Sequence, residues 1–203
     1  MRVGGSTEVK SSRSLPSLVA YGRGLPDGWG SYPACRASAS LLGSLETAGV
    51  LEDLVGLPAE IESYVRPIVE PWIPEVVHVA VMLALRDQRF TGPNGEAAFV
   101  TWLHRLNGEL MIDRSGLGPQ AALHGLPGLW SALHEGTEIR VIESRSGSAL
   151  VAYLYPEPLF PSLANRWRRD AIAGYLVRAG AVQPRITDLG RVGDATHVSI
   201  TWT

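Results

Sequence analysis

The chain has 203 residues, 45% of them hydrophobic, with 18 Lys and Arg against 20 Asp and Glu and a formal net charge of -2. That much apolar material can bury a core and excludes wholesale disorder, while the near-neutral balance argues against a dedicated nucleic-acid binder. A single cysteine, Cys35, excludes an internal disulfide and a cysteine-rich zinc site.

Residues 1–33 are rich in Gly, Ser and Pro and read as a flexible or irregular segment ahead of a single α+β domain, 34–203. No signal-peptide core precedes it, and the longest apolar run, Val76 to Leu85, is shorter than the roughly 20 residues of a membrane span. A soluble, cytoplasmic chain with no membrane span is expected.

From Ala34 to Gly56, Leu41, Leu42, Leu45, Val50, Leu51 and Leu54 recur at helical spacing, with Gly49 as an interruption. Pro58 opens a second helix bearing Ile61, Tyr64, Val65 and Ile68, which Pro71 should end. Pro74 opens a third. Its interior is apolar on nearly every face, so it should be central and buried. After the turn "TGPNG" comes a helix with one stripe, Phe99, Trp102, Leu103, Leu106 and Leu110. Pro119 starts a further helix, which Pro127 should kink or split and Gly136 should stop.

Beyond Gly136 the period changes from helical to alternating. "TEIRVIES" and "ALVAYLY" around "RSGS" form one hairpin, and "VQPRITDL" and "THVSITW" around "GRVGDA" form another. Between them lies the helix of "ANRWRRDAIAGYLVRAGA". Helices followed by ββαββ mean an α+β fold, with the four strands in one antiparallel sheet covered on one face by helices.

That tail, from about Leu117 through "AIAGYLVRAGA" to "ATHVSITW", resembles the four-vinyl-reductase domain and the heme-NO-binding-like fold to which it belongs. Residues 70–203 are also similar to a myxobacterial paralogous family in which amphipathic helices precede the same ββαββ unit. The resemblance implies a fold that often encloses an apolar pocket, used for heme, small hydrophobic ligands or acyl chains, or as a surface for assembly. The Tyr-x-Ser-x-Arg motif of heme-binding members does not occur here, and the cysteines of vinyl-reductase-type domains are missing from the closing part. Neither heme nor a metal cluster carries over, and no cofactor is expected.

The candidate residues are sparse. His78 stands in the apolar helix with Met82, not a second ligand, at i+4, and reads first as a core histidine. His104, His124, His134 and His197 show no HxxxH or HExxH spacing. Cys35 has Arg36 beside it but no assigned histidine partner, and no G-x-S-x-G elbow exists. A pocket lined by Trp72, His78, Met82, Trp102, Leu106 and Trp130 is expected between the helices near 74–90 and 96–111 and the sheet, with core packing as the simpler reading of the tryptophans. Arg166 and Arg169 share an outward helical face and form a candidate partner surface, while Trp167 packs inward. The expected function is a non-catalytic small-ligand-sensing or protein-adaptor domain, in signalling, with a possible small hydrophobic ligand. The alternative is a structural protein acting through self-association or a protein partner.

Overall fold

The structure, a computed structural model, describes residues 14–47, 49–110 and 116–203. Its centre is the helix foreseen after Pro74: α4 (Glu75–Arg89), in which Val76, Val77, Val79, Ala80, Val81, Leu83, Ala84 and Leu85 are all buried. A helix apolar on every side needs neighbours on every side, and the surrounding elements supply them.

The first neighbour is α1 (Pro16–Gly24), which lies within the stretch expected to be irregular. Its own sequence offers no side-chain cap. The cap comes instead from α4: the backbone N–H groups of Ser17 and Leu18 donate to Asp87 Oδ2 at 2.7 and 3.3 Å. A buried carboxylate thus satisfies two of the orphan donors of a helix N-terminus and complements its dipole. Leu18 and Tyr21 are buried beneath α1, and the Tyr21 hydroxyl donates to the Leu159 carbonyl at 2.8 Å. Residues 1–13 lie outside the described residues.

The stretch read as helical from Ala34 is a strand followed by a shorter helix, β1 (Arg36–Ser38) and α2 (Ser40–Thr47). Helix α3 (Ala59–Val65) stops before Pro67 rather than at Pro71, because the residue ahead of a proline is pushed out of helical geometry. Then β2 (Trp72–Pro74) runs straight into α4. Next come α5 (Gly95–Leu110) and α6 (Pro119–Leu133), the latter followed directly by β3 (His134–Glu135). Pro127 stays inside α6 without dividing it, and the burial of Ala122, Leu123 and Leu126 on that helix offsets a penalty of about 3 kcal/mol. Strands β2, β1 and β3 form a small antiparallel sheet with β1 in the middle.

The second sheet follows the expected plan. β4 (Glu138–Arg145), β5 (Ser148–Leu154), β7 (Ala195–Thr201) and β6 (Arg185–Val192) pair antiparallel in the order β4-β5-β7-β6. Facing pairs Val151–Val198 and Ala149–Ile200 put their side chains on the core face. Both edge strands are interrupted by bulges, at Val141/Glu143 and at Asp188/Gly190, a device that discourages edge-to-edge pairing. Helix α7 (Ser162–Arg178) joins the two hairpins and packs against β6, α5 and α6.

Replacing Asp87 by Ala leaves two buried N–H donors without acceptors. We expect a loss of about 1–2 kcal/mol in urea denaturation, with amide exchange in α1 accelerated ahead of global unfolding. Protection of α1 equal to wild type would show that Asp87 does not hold it.

Candidate functional site

Between α4, α6 and α7 lies a cavity of about 410 Å³. Val79 and Met82 of α4, Leu126 and Leu133 of α6 and Ile172 of α7 give it an apolar wall, and Leu45 of α2 and Leu103 of α5 complete that wall. No described lining residue comes from the four-stranded sheet. Ser40 and Ala132 are its solvent-exposed lining residues and mark its mouth. A carboxylate, two imidazoles and a guanidinium also reach it, those of Glu75, His78, His134 and Arg168.

The small sheet positions the first three. Glu75 begins α4 immediately after β2, and its N–H donates to the Cys35 carbonyl at 2.9 Å. β3 pairs on the other side of β1, with His134 opposite Ala37 and Arg36 opposite Glu135. The chain therefore leaves α6 as strand rather than stopping at a glycine cap, and the expected stop, Gly136, serves another need. It has φ +69°, and a Cβ there would lie 2.2 Å from the Ala34 carbonyl oxygen, so only glycine permits the crossing. In consequence Glu75 and His134, far apart in sequence, meet.

Glu75 is fully buried. Its Oε2 accepts from His134 Nδ1 at 2.7 Å and its Oε1 from His78 Nδ1 at 3.1 Å. Burial alone would raise the carboxyl's pKa, but the His134 imidazole and the hydrogen bonds from both rings outweigh it and hold the group well below the usual carboxylate range. His134 moves downward as well. Burial disfavours its cationic form by more than Glu75 favours it. Its ring stacks on Trp130 at 3.9 Å between centroids, and the Trp130 Nε1–H donates to Thr137 at 3.1 Å.

Arg168 completes the polar lining from α7, where Ala164, Arg168, Ala171 and Tyr175 follow one another at i, i+4, i+7 and i+11 along the stripe facing the cavity. Its Nη1 and Nη2 are shut off from solvent and have no hydrogen-bond partner, and among the described residues no carboxylate forms an ion pair with it. The rings of Phe160, Trp130 and Tyr155 surround the guanidinium, with centroids at 2.8, 5.0 and 5.6 Å. Burial draws its pKa down to about 10, so it remains a cation at neutral pH.

Of the candidate residues, His78, Met82 and Trp130 line this cavity; Trp72 and Trp102 do not. Trp72 belongs to β2, and Trp102 packs against Phe90 and Phe99. Leu106 lies on α5, and its side chain, like that of His104, falls outside the described ones. Arg166 pairs with Glu96 and Arg169 with Asp188, both within the chain. α7 starts at Ser162, so these arginines stand in its second and third turns, beyond the reach of the N-terminal dipole. Cys35 is buried, its thiol 3.4 Å from the Gly136 carbonyl and pushed up in pKa by that burial, the opposite of a reactive thiolate. Sequence reasoning missed Glu75, His134 and Arg168. A glutamate three residues before a histidine, at the head of an all-apolar helix, is the signal that could have pointed to the first.

The two shifts give a pH signature. A base whose folded pKa is depressed stays neutral in the fold while the unfolded chain takes up the proton, so the stability tied to His134 is complete above about pH 6.5 and falls as pH drops below it. Glu75's contribution is present above about pH 4.3 and is lost only in strong acid. Urea denaturation at stepped pH should show a decline beginning near pH 6.5 that His134→Gln flattens. Glu75→Gln should cost about 1–3 kcal/mol at neutral pH, because an amide NH2 then faces one of the two imidazole N–H donors and leaves it without an acceptor.

No family model matches the sequence, and no curated protein matches it. Solved structures do. One, from work described as "Probing the function of heme distortion in the H-NOX family", is 11% identical, covers 82% of this chain and 95% of its own, and superposes with a TM-score of 0.52. A second, a Cs H-NOX mutant carrying 4-cyano-L-phenylalanine at site 5, is 12% identical over 82% of this chain and 96% of its own, with a TM-score of 0.49. Among the described residues no helix is long and apolar enough to cross a membrane, and no cluster of three or more His, Cys, Asp or Glu is placed to hold a metal ion. The chain has an α+β fold of the H-NOX kind, with its helices packed on a C-terminal ββαββ antiparallel sheet.

Proposed function

We propose that this chain is a small-ligand-sensing or adaptor domain that holds an apolar molecule in the cavity between α4, α6 and α7 and catalyses no reaction on it. The observation that carries the reading is the cavity itself. Protein interiors are close-packed, yet about 410 Å³ stays open here behind a wall of leucine, valine and alanine. That volume sits within the range of roughly 300–1,000 Å³ typical of small-molecule sites. The order of helices before ββαββ also supports reading the chain as similar to four-vinyl-reductase domains and to the myxobacterial paralogous family.

Heme, which the first of the similar structures concerns, does not fit these residues. A heme presents two propionates, and the described lining offers them one cation, Arg168, with the buried carboxylate of Glu75 in the same wall. His78 and His134 each donate Nδ1–H to Glu75, an arrangement that leaves Nε2 free in both rings, so the misfit lies at the propionate end and not in the imidazoles.

Assembly is the second reading. It draws on Leu189 and Val192 of edge strand β6, which are 55% and 70% exposed. The pairs Arg166–Glu96 and Arg169–Asp188 would have to open before those arginines met a partner on the α7 face.

Native mass spectrometry of the purified chain, beside its denatured mass, separates the two. An extra mass lost on denaturation is the outcome expected. Ala171→Phe, which fills the cavity from α7, should abolish that mass and raise stability by about 1 kcal/mol. A bare chain at an integer multiple of the monomer would replace the ligand reading with assembly.

A further inference from the structure

An arginine whose donors are buried without acceptors is a costly thing to leave in a fold. Resting on the reading of the cavity as a ligand site, we propose that Arg168 anchors a single carboxylate headgroup, and that the ligand is a single-headed amphiphile whose apolar tail fills the cavity toward its mouth at Ser40 and Ala132.

Four observations converge on that ligand class. The aromatic rings of Phe160, Trp130 and Tyr155 hold the guanidinium through its faces, but contacts of that kind leave its in-plane N–H donors unfilled. Those donors, Nη1 and Nη2, form the planar fork that matches the two oxygens of a carboxylate. Glu75, the carboxylate in the same wall, is already occupied on both oxygens by His134 and His78 and makes no ion pair with Arg168. Its negative charge also disfavours a second acid group nearby, which restricts the ligand to one. The remaining lining is aliphatic and aromatic, suited to a hydrocarbon tail.

A rival fate for the guanidinium lies on its other side. A void of about 10 Å³ between Arg168, Tyr153, Asn165 and Thr196 has room for about one water molecule. If that water satisfied the donors, Arg168 would be structural and indifferent to a ligand's head.

The probes are dodecanoate, dodecanol and hemin, titrated calorimetrically into the full wild-type chain and into Arg168→Met. Dodecanoate should bind wild type about tenfold or more tighter than dodecanol, as a charge-assisted hydrogen-bonded pair requires, and the variant should erase that difference. The ligand-free variant should be as stable as wild type or more so, since an unpartnered buried charge is gone; a marked loss of stability would mark Arg168 as structural and overturn the proposal. Should the variant fail to fold, carboxyl-carbon NMR of labelled dodecanoate on wild type still decides. The bound acid should stay ionised well below the pH at which free acid protonates, whereas titration as in water overturns the anchor. Equal affinity for acid and alcohol would leave the cavity reading standing and remove Arg168 from it. Binding of neither would end the cavity reading and the anchor together. Hemin preferred over both would overturn the single-headed class.

Discussion

One buried carboxylate organises the helical half of this molecule. Glu75 has no exposure to solvent, and an ion in that position persists only if its oxygens are fully engaged. Two imidazoles, from α4 and β3, engage the oxygens, while Arg168 on α7 reaches the same cavity without an ion pair to them. Meeting those demands fixes geometry: His134 must leave α6 as strand, β1 must run between β2 and β3, and Gly136 must be glycine to let the chain pass Ala34. The small sheet is thus a consequence of the ionic centre as much as a support for it. Its three strands contribute no more than three residues each, too few to be stable alone.

Much of the fold was legible because it rests on local period. The change from helical to alternating pattern after Gly136 marks the hairpins, and the ring of apolar residues from Val76 to Leu85 marks the central helix. What was not legible depends on contacts between distant parts. α1 was invisible because its cap, Asp87, lies about 70 residues downstream, so "PSLVAYGRG" shows none of the residues that announce a helix start. β1 is three residues long and reads as the front of the helical pattern that follows. Pro67 ended α3 earlier than Pro71 suggested, since either proline satisfies the same rule.

The site shows the same division. His78, Met82 and Trp130 were reachable from the sequence, because residues on one face of a buried helix or near its stripe have few other places to go. Arg168 was not, although it sits on the inward stripe of α7 between Ala164 and Ala171. The candidate partner surface took in Arg166 and Arg169 alone, and average behaviour places arginine outside. The fold divides the three: Arg166 and Arg169 take surface carboxylates, and Arg168 goes in. Local rules that fail in this way tend to fail at functional positions, where stability is given up for something else.

The position of the cavity has its own cause. On the core face of the large sheet, Val151, Tyr153, Val198 and Ile200 are buried, and the void against Tyr153 and Val198 is only about 10 Å³. Between the helices, by contrast, Ala164 and Ala171 of α7 and Ala132 of α6 face space that larger side chains would fill. Replacing any one of them by leucine would close part of it at no evident local cost, since leucine and alanine are both strong helix formers. The open space and the unpartnered guanidinium therefore share a helix face, each unfavourable for the empty fold. A molecule with an apolar body and one acid group removes both penalties at once, which is why we read them as two halves of one site.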